Sequence, residues 1–212
     1  MISVLIPAYN EEGNVERTAA AVGSTMTKNN IDYEIVQADD ARFFPDAKEM
    51  EKMMTLRPFN INDALTILNL CKDKHAFRLW SADRYKDFPI QPEEMIEQYE
   101  GENMYPLTAI VGEEIIGHIL LRFPSEDKSV IRFGFAIVDD SKRGKGYGKQ
   151  MLRLSIDYAL RELGAQKITL GVFCDNHSAI ECYKSVGFHI TGEDSYPIDG
   201  EEWKGFEMEL IE

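Results

Sequence analysis

The stretch Ser141 to Lys149, "SKRGKGYGK", separates an apolar run, Val130 to Val138, from a helix-patterned segment that ends at Gly164. Glycines at Gly144, Gly146 and Gly148 let a chain turn tightly and present successive N–H groups at the start of a helix. Partial positive charge there favours a phosphate. Lys142, Arg143, Lys145 and Lys149 add formal charge around the turn. The chain as a whole has 37 acidic and 23 basic side chains and a formal charge of −14, so this segment is a local reversal of sign and reads as an anion site. Two familiar phosphate loops do not fit. The Walker pattern needs four residues between its glycines and Ser or Thr after its lysine, and the dinucleotide pattern needs Gly-x-Gly-x-x-Gly.

Downstream, "GKQMLRLSIDYALRELG" places Met151, Leu152, Ile156, Ala159, Leu160 and Leu163 on one helical face, with Gly164 as its stop. "KITLGVF" is a buried strand, "NHSAIECYKSVG" a helix, and "FHITGEDSY" and "WKGFEMELI" an antiparallel pair. Upstream, Leu107 to Val111, Ile115 to Phe123 and Val130 to Val138 form a meander. Before it come a short strand, "TLRPF", and two helices. "NINDALTILNLCKDK" is capped at Asn60 or Asn62, and "QPEEMIEQYEG" opens with Pro92 and ends at Gly101. The order βααβββαβαββ predicts an α+β domain over 55–212.

The segment Arg143 to Gly148 fits Arg/Gln-x-x-Gly-x-Gly/Ala, and with it the chain resembles the GNAT superfamily of acyl-CoA-dependent N-acetyltransferases. "FGFAIVDDSKRGKGYGKQML" is similar to the family's fourth strand, pyrophosphate loop and following helix. "VFCDNHSAIECYKSVGF" is similar to its fifth strand and next helix, with Asn176, Ala179, Tyr183, Gly187 and Phe188 at the family's Asn, Ala, Tyr and Gly-Phe. The resemblance implies a mainly antiparallel sheet whose central strands splay, with acetyl-CoA as co-substrate and no metal. It implies that backbone groups around Ile137, Val138 and Asp139 pair with the pantetheine arm. The amides of Arg143, Gly144, Lys145, Gly146, Tyr147 and Gly148, with Lys149, would hold the pyrophosphate. Asn176 would touch the pantetheine or cap its helix, and Tyr183 would be the general acid for the departing thiolate. A fourth-strand amide would hold the oxyanion.

The family's carboxylate base on the fourth strand has no counterpart, because "SVIRFGFAIV" offers only Arg132. His118, Glu126, Asp127 and His189 stay open as bases. Trp80, Tyr85 and Phe88, with acids such as Glu193, Asp194, Asp199, Glu201 and Glu202, would line an acceptor groove suited to a cationic small-molecule amine; a protein N-terminus is the other candidate. The competing readings are a catalytically degenerate acyl-CoA-binding module, which would bind without turnover, and glycosyl transfer.

Glycosyl transfer rests on the chain's opening. "VLIPAYNEEGNVERT" and "YEIVQADDA" resemble the first βαβ unit of family-two glycosyltransferases, with Tyr9, Glu11 and Asp39 at nucleotide-contacting positions and a helix from Glu11 to about Met26. The match ends near Ala41. Asp40-Ala41-Arg42 replaces the expected Asp-Gly-Ser, and no Asp-x-Asp metal motif occurs in the chain. The domain reading is therefore a 1–41 fragment, a 42–54 connector with a short helix, and the acetyltransferase-like domain. The acidic balance argues against nucleic acid or an acidic membrane surface. No run reaches the ~18 apolar residues of a membrane span, and no signal region is evident, so the expected address is the cytoplasm. Cys71, Cys174 and Cys182 lack CxxC spacing and read as reduced packing thiols. A homodimer is compatible with all of this.

Overall fold

The structure is a computed structural model that describes residues 2–7, 33–38, 53–126 and 128–210. The chain divides into two compact units, 1–53 and 54–212. In the first, β1 (Ile2–Pro7) and β2 (Tyr33–Ala38) pair in parallel, Ile2 opposite Tyr33 and Pro7 opposite Ala38. Both strands overlap the two stretches quoted for the βαβ resemblance. The expected helix from Glu11, the positions Tyr9, Glu11 and Asp39, and the connector helix lie outside the described residues.

The second unit is built on a seven-stranded sheet in the order β3-β4-β5-β6-β7-β9-β8. The strands are β3 (Met54–Pro58), β4 (Met104–Val111), β5 (Glu114–Arg122), β6 (Val130–Val138), β7 (Lys167–Phe173), β8 (Phe188–Ile198) and β9 (Glu201–Leu210). All neighbours are antiparallel except β6 and β7. The fold is the α+β arrangement expected, with helices on both faces.

On one face lie α4 (Tyr147–Arg161) and α5 (His177–Lys184). Met151, Leu152 and Ala159 of α4 and Ile180 of α5 are buried with Ile131, Phe133, Ile168, Leu170 and Met208 of the sheet. The predicted apolar face of α4 is therefore its packing face, with Ile156, Leu160 and Leu163 at its half-buried margin. Gly164, at φ +70°, ends the segment in the left-handed conformation that glycine adopts without penalty.

On the other face α1 (Ala64–Leu68), α2 (Lys74–Ser81) and α3 (Pro92–Gln98) enclose a second cluster. It contains Ile67, Phe77, Trp80, Tyr85, Met95, Tyr99 and Leu120. Here the sequence reading needs a correction, because the helix expected across 60–74 ends at Leu68, and a helix that was not expected occupies Lys74–Ser81. A short 3-10 turn capped by Asn60 leads into α1, and a new cap, the Asp73 carboxylate accepting from the Ala76 amide at 2.7 Å, starts α2. Pro92 opens α3 as expected.

Candidate functional site

β6 is the pivot of the site. It pairs with β7 only from Val130 to Phe133, opposite Lys167 to Leu170, and beyond Phe133 the two strands have no pairing. The expected splay is thus present, with its closed end at Phe133. On its other side β6 follows β5 with a bulge, since the register shifts between His118 and Leu120 and Phe135 adopts φ +50°. One extra residue reverses which side chains face which layer. Phe133 packs toward α4 and α5, whereas Phe135 and Ile137 pack toward α1–α3. Trp80 holds the bulge in place, its indole N–H donating to the Phe135 carbonyl at 2.8 Å.

Backbone directions in the open segment correct part of the pantetheine assignment. Asp139 donates its N–H to the Ile116 carbonyl at 2.8 Å, and its own carbonyl accepts from the Lys142 amide at 2.9 Å. Both of its backbone groups are engaged. Because successive residues of a strand turn their backbone groups to alternate sides, Ile137 turns toward β5. A β-carbon on Gly117 would lie 2.5 Å from the Ile137 carbonyl, so only glycine permits that approach. Val138 and Ala136 therefore turn their groups into the opening, and of the three strand residues expected to pair with an arm only Val138 has them free.

The cradle at the cleft's open end is built as the glycine spacing predicts. Gly144 and Gly146 both have φ +77° with open space where a β-carbon would stand, and Gly146 is the N-cap of α4. No side chain caps α4 and no acid occupies its first turn, so the leading amides are unpaired donors beside the positive end of the helix dipole. Gly148 serves differently: its Cα faces the Cys182 sulfur, where a β-carbon would lie at 3.3 Å, letting α4 and α5 approach closely. The charge of the loop is partly neutralised. Lys142 pairs with Glu114 at 2.6 Å and Arg143 with Asp140 at 2.6 Å, while Lys145 and Lys149 have no ion pair among the described residues. An uncapped helix end, two open left-handed glycines and two unpaired lysines fit a pyrophosphate.

Asn176 is the N-cap of α5, its side-chain oxygen accepting from the Ala179 amide at 3.3 Å. Tyr183 lies about two turns further along α5. Its ring packs edge-on against Phe188 at 6.0 Å, and Phe188 meets Phe133 at 6.1 Å, which sets the tyrosine near the closed end of the cleft. The hydroxyl has no hydrogen-bond partner among the described residues. Burial, then the neighbouring Cys182 thiol, pushes its pKa well above the ordinary phenol value, so it holds its proton at neutral pH.

Other expectations are overturned. His118 is wholly buried, its Nε2 2.8 Å from the Tyr99 hydroxyl, and burial lowers its pKa to about 3. It is a neutral core histidine, out of reach of an entering amine. Trp80 and Tyr85 are buried core aromatics rather than groove lining, and only Phe88 of that trio is half-buried. Asp199 is paired with Arg78 and Lys74. Asp127 lies outside the described residues.

Sequence reasoning missed a polar cluster on the α1–α3 face of the sheet. Arg132 makes a two-pronged ion pair with Glu207 of β9, 2.6 and 2.7 Å, and the Tyr196 hydroxyl donates to Glu207 at 3.1 Å. Gly171, the first β7 residue past the closed end, makes room for it, since a β-carbon there would stand 2.7 Å from Arg132 Nη2. A glycine in an otherwise apolar strand was the one signal available. The cleft thus opens to both faces, with the cradle and Tyr183 on the α4–α5 side and the Arg132–Glu207 pair on the other. Among the described residues no cluster of three or more His, Cys, Asp or Glu could hold a metal, and no helix is long and apolar enough to cross a membrane.

Residues 74–188 match the family model described as "Acetyltransferase (GNAT) family", and the chain belongs to that family. It is 34% identical over 83 residues to "Uncharacterized N-acetyltransferase YycN" of Bacillus subtilis (37% of this chain, 51% of that protein). It is 30% identical over 87 residues to "L-amino acid N-acetyltransferase AaaT" of Escherichia coli (41% and 54%). The chain thus spans about half the length of these two relatives. Among solved structures, spermidine N-acetyltransferase from Vibrio cholerae in complex with CoA and spermine superposes with a TM-score of 0.64 at 22% identity, covering 74% of this chain and 94% of that one. This last likeness is one of fold.

Proposed function

We propose that this protein transfers the acetyl group of acetyl-CoA to a primary amine by direct attack in a ternary complex. The observation that carries the reading is the β6/β7 cleft, which begins at the uncapped N-terminus of α4 and closes near the unpartnered hydroxyl of Tyr183. Pyrophosphate would be held by the amides of Arg143 to Gly148 and by Lys145 and Lys149. The pantetheine arm would run along β6 against the free groups of Val138 and Ala136, and Asn176 would cap α5 beside it. An amide next to the Phe135 bulge is the donor for the oxyanion.

The chemistry balances with the residues present. A neutral amine attacks the thioester carbonyl, the C–S bond breaks, the thiolate takes the Tyr183 proton, and the nitrogen loses its extra proton to water. Tyr183 is then reprotonated from solvent. Its raised pKa keeps the hydroxyl protonated at neutral pH, so it enters the reaction as a donor and not as a base. The amine class is suggested in two directions by the relatives, whose names specify amino acids and spermidine.

The test is thiol release from acetyl-CoA across an amine panel. Amine-dependent release supports acetyl transfer. Saturable acetyl-CoA binding with no amine-dependent release would instead favour a binding module, a reading that draws on the missing carboxylate of β6.

A further inference from the structure

The acceptor side of the cleft carries an unexpected excess of positive charge for so acidic a chain. Arg122 of β5 and Arg132 of β6 are register partners, directly opposite across the strand pair. Their direction follows from alternation along each strand. Leu120, two residues before Arg122, packs toward α1–α3, while Ile131 and Phe133, flanking Arg132, pack toward α4 and α5. Both arginines therefore point to the α1–α3 face. Like charges directly opposite on neighbouring strands are destabilising unless something offsets them.

Only one of the two is offset. Arg132 is clasped end-on by Glu207, which leaves its Nε–H without a partner among the described residues. Arg122 is half-buried and has no ion pair or hydrogen bond there. Burial lowers the proton affinity of Arg122, and repulsion from Arg84 and Arg132 lowers it further. The opposed pair has one carboxylate, Glu207, for its two cations. Gly171, exposed beside the ion pair, keeps the floor open where the cleft closes.

We propose that Arg122 and Arg132 form an anion-recognition site on the acceptor side of the cleft, and that the amine substrate carries an acidic group, carboxylate or phosphate. The proposal rests on the acetyl-transfer reading. It narrows the expectation of a purely cationic acceptor. Of the acids invoked from the sequence, Asp199 is paired with Arg78 and Lys74, and the carboxylate at the opposed arginines, Glu207, is taken up by Arg132. A polyamine would meet the Arg122 guanidinium with no carboxylate to receive it, whereas an aminocarboxylate would relieve the repulsion there and gain charge-assisted hydrogen bonds.

The experiment compares kcat/KM, with acetyl-CoA saturating, for leucine, γ-aminobutyrate, their carboxamides, O-phosphoethanolamine and spermidine. At least about a tenfold preference for an acid over its carboxamide is expected, the scale of one charge-assisted hydrogen bond. Arg122→Gln should cut that preference while leaving acetyl-CoA affinity unchanged. Arg122→Lys keeps the charge but not the planar fork and should retain part of the preference, so the proposal stays testable even if Arg122→Gln does not fold. Preference for phosphoethanolamine over both aminocarboxylates would identify the anion as phosphate. Equal rates for acid and carboxamide, or the highest rate with spermidine, would overturn the proposal. Melting-temperature shifts with the same compounds separate it from the acetyl-transfer reading. An arginine-dependent shift with acids but no acetylation of any amine would sink acetyl transfer and keep the anion site, and no shift together with no acetylation would sink both.

Discussion

Arg78 and Asp199, 121 residues apart in sequence, meet in a two-pronged ion pair of 2.9 and 2.8 Å that ties α2 to the turn of the β8–β9 hairpin. The same guanidinium donates to the carbonyls of Ala82, Tyr85 and Lys86, so it also shapes the loop after α2. Lys74 adds a second cation to Asp199, and His75 lies against Trp203 of the hairpin at 5.4 Å. Two walls of the acceptor side are thus joined through one buried arginine. Arg78→Met leaves three carbonyls without their donor and Asp199 with Lys74 alone, and should destabilise the fold by about 3 kcal/mol or more in urea unfolding. A change within the error of the extrapolation would show that the tie carries no stability.

The buried histidine sets a pH dependence of stability. His118 has a folded pKa of about 3 against an ordinary 6.5, so the unfolded chain binds the proton that the folded chain refuses. Its contribution is complete above pH 6.5 and is lost progressively as pH falls toward 3. Between about pH 6.5 and 5 the carboxylates are still ionised in both states, so the slope there belongs to His118. Denaturation of His118→Gln across that window should show a flatter profile than wild type, and an unchanged slope would mean the imidazole is not excluded from protonation.

A second, lower window comes from a carboxylate. Burial alone would raise the pKa of Asp63, but hydrogen bonds from Arg57, the Asn60 amide and Thr108 outweigh it and hold the group below its ordinary 3.8. A depressed folded pKa stabilises above the unfolded value and is lost as pH falls through the folded one. Asp63→Asn should therefore cost stability at pH 7 and little at pH 2. An equal loss at both values would point to packing instead of charge.

Gly171 offers a test of the acceptor side that spares the cofactor side. A methyl there would stand 2.7 Å from Arg132 Nη2 and 3.3 Å from Glu207 Oε1, both at the ends of flexible side chains. The pair can shift at little cost, so Gly171→Ala should leave stability within about 1 kcal/mol while raising KM for the amine. Acetyl-CoA affinity should be unaffected. A loss of acetyl-CoA affinity with amine KM unchanged would place this cluster on the other side of the reaction.

Gly146 tests the cradle. At φ +77° an alanine carries a backbone penalty of roughly 1–2 kcal/mol, although space for its methyl is open. Gly146→Ala should therefore turn the first-turn amides of α4 away from their common focus and weaken acetyl-CoA binding by about tenfold or more, read by calorimetry. Unchanged affinity would mean the phosphates are held elsewhere.

What could be read from the sequence was local. The glycine turn, α4 and the Asn176 cap each depend on residues within a few positions of one another, where spacing fixes the geometry. The strands followed from apolar runs, whereas the splay of the central strands and the interest in Tyr183 came only with the family resemblance. The bulge at Phe135 was not legible, because an extra residue shows only against the partner strand. Nor were Arg78–Asp199 and Arg132–Glu207, whose partners lie far apart in the chain. Trp80 and Tyr85 were expected in a groove because aromatics next to charged residues look amphipathic, yet α2 turns that face into the core. The helix α2 was read as part of the loop between the two N-terminal helices, because its cap, Asp73, fell inside the helix expected to end at Lys74.

Acetyl transfer with Tyr183 as proton donor to the leaving thiolate makes turnover and acetyl-CoA affinity of Tyr183→Phe, beside wild type, the decisive measurement. Removing only the hydroxyl keeps the ring against Phe188. The account predicts that kcat falls about a hundredfold or more while the acetyl-CoA dissociation constant stays within about twofold. Unchanged kcat in a variant that binds acetyl-CoA normally would contradict it.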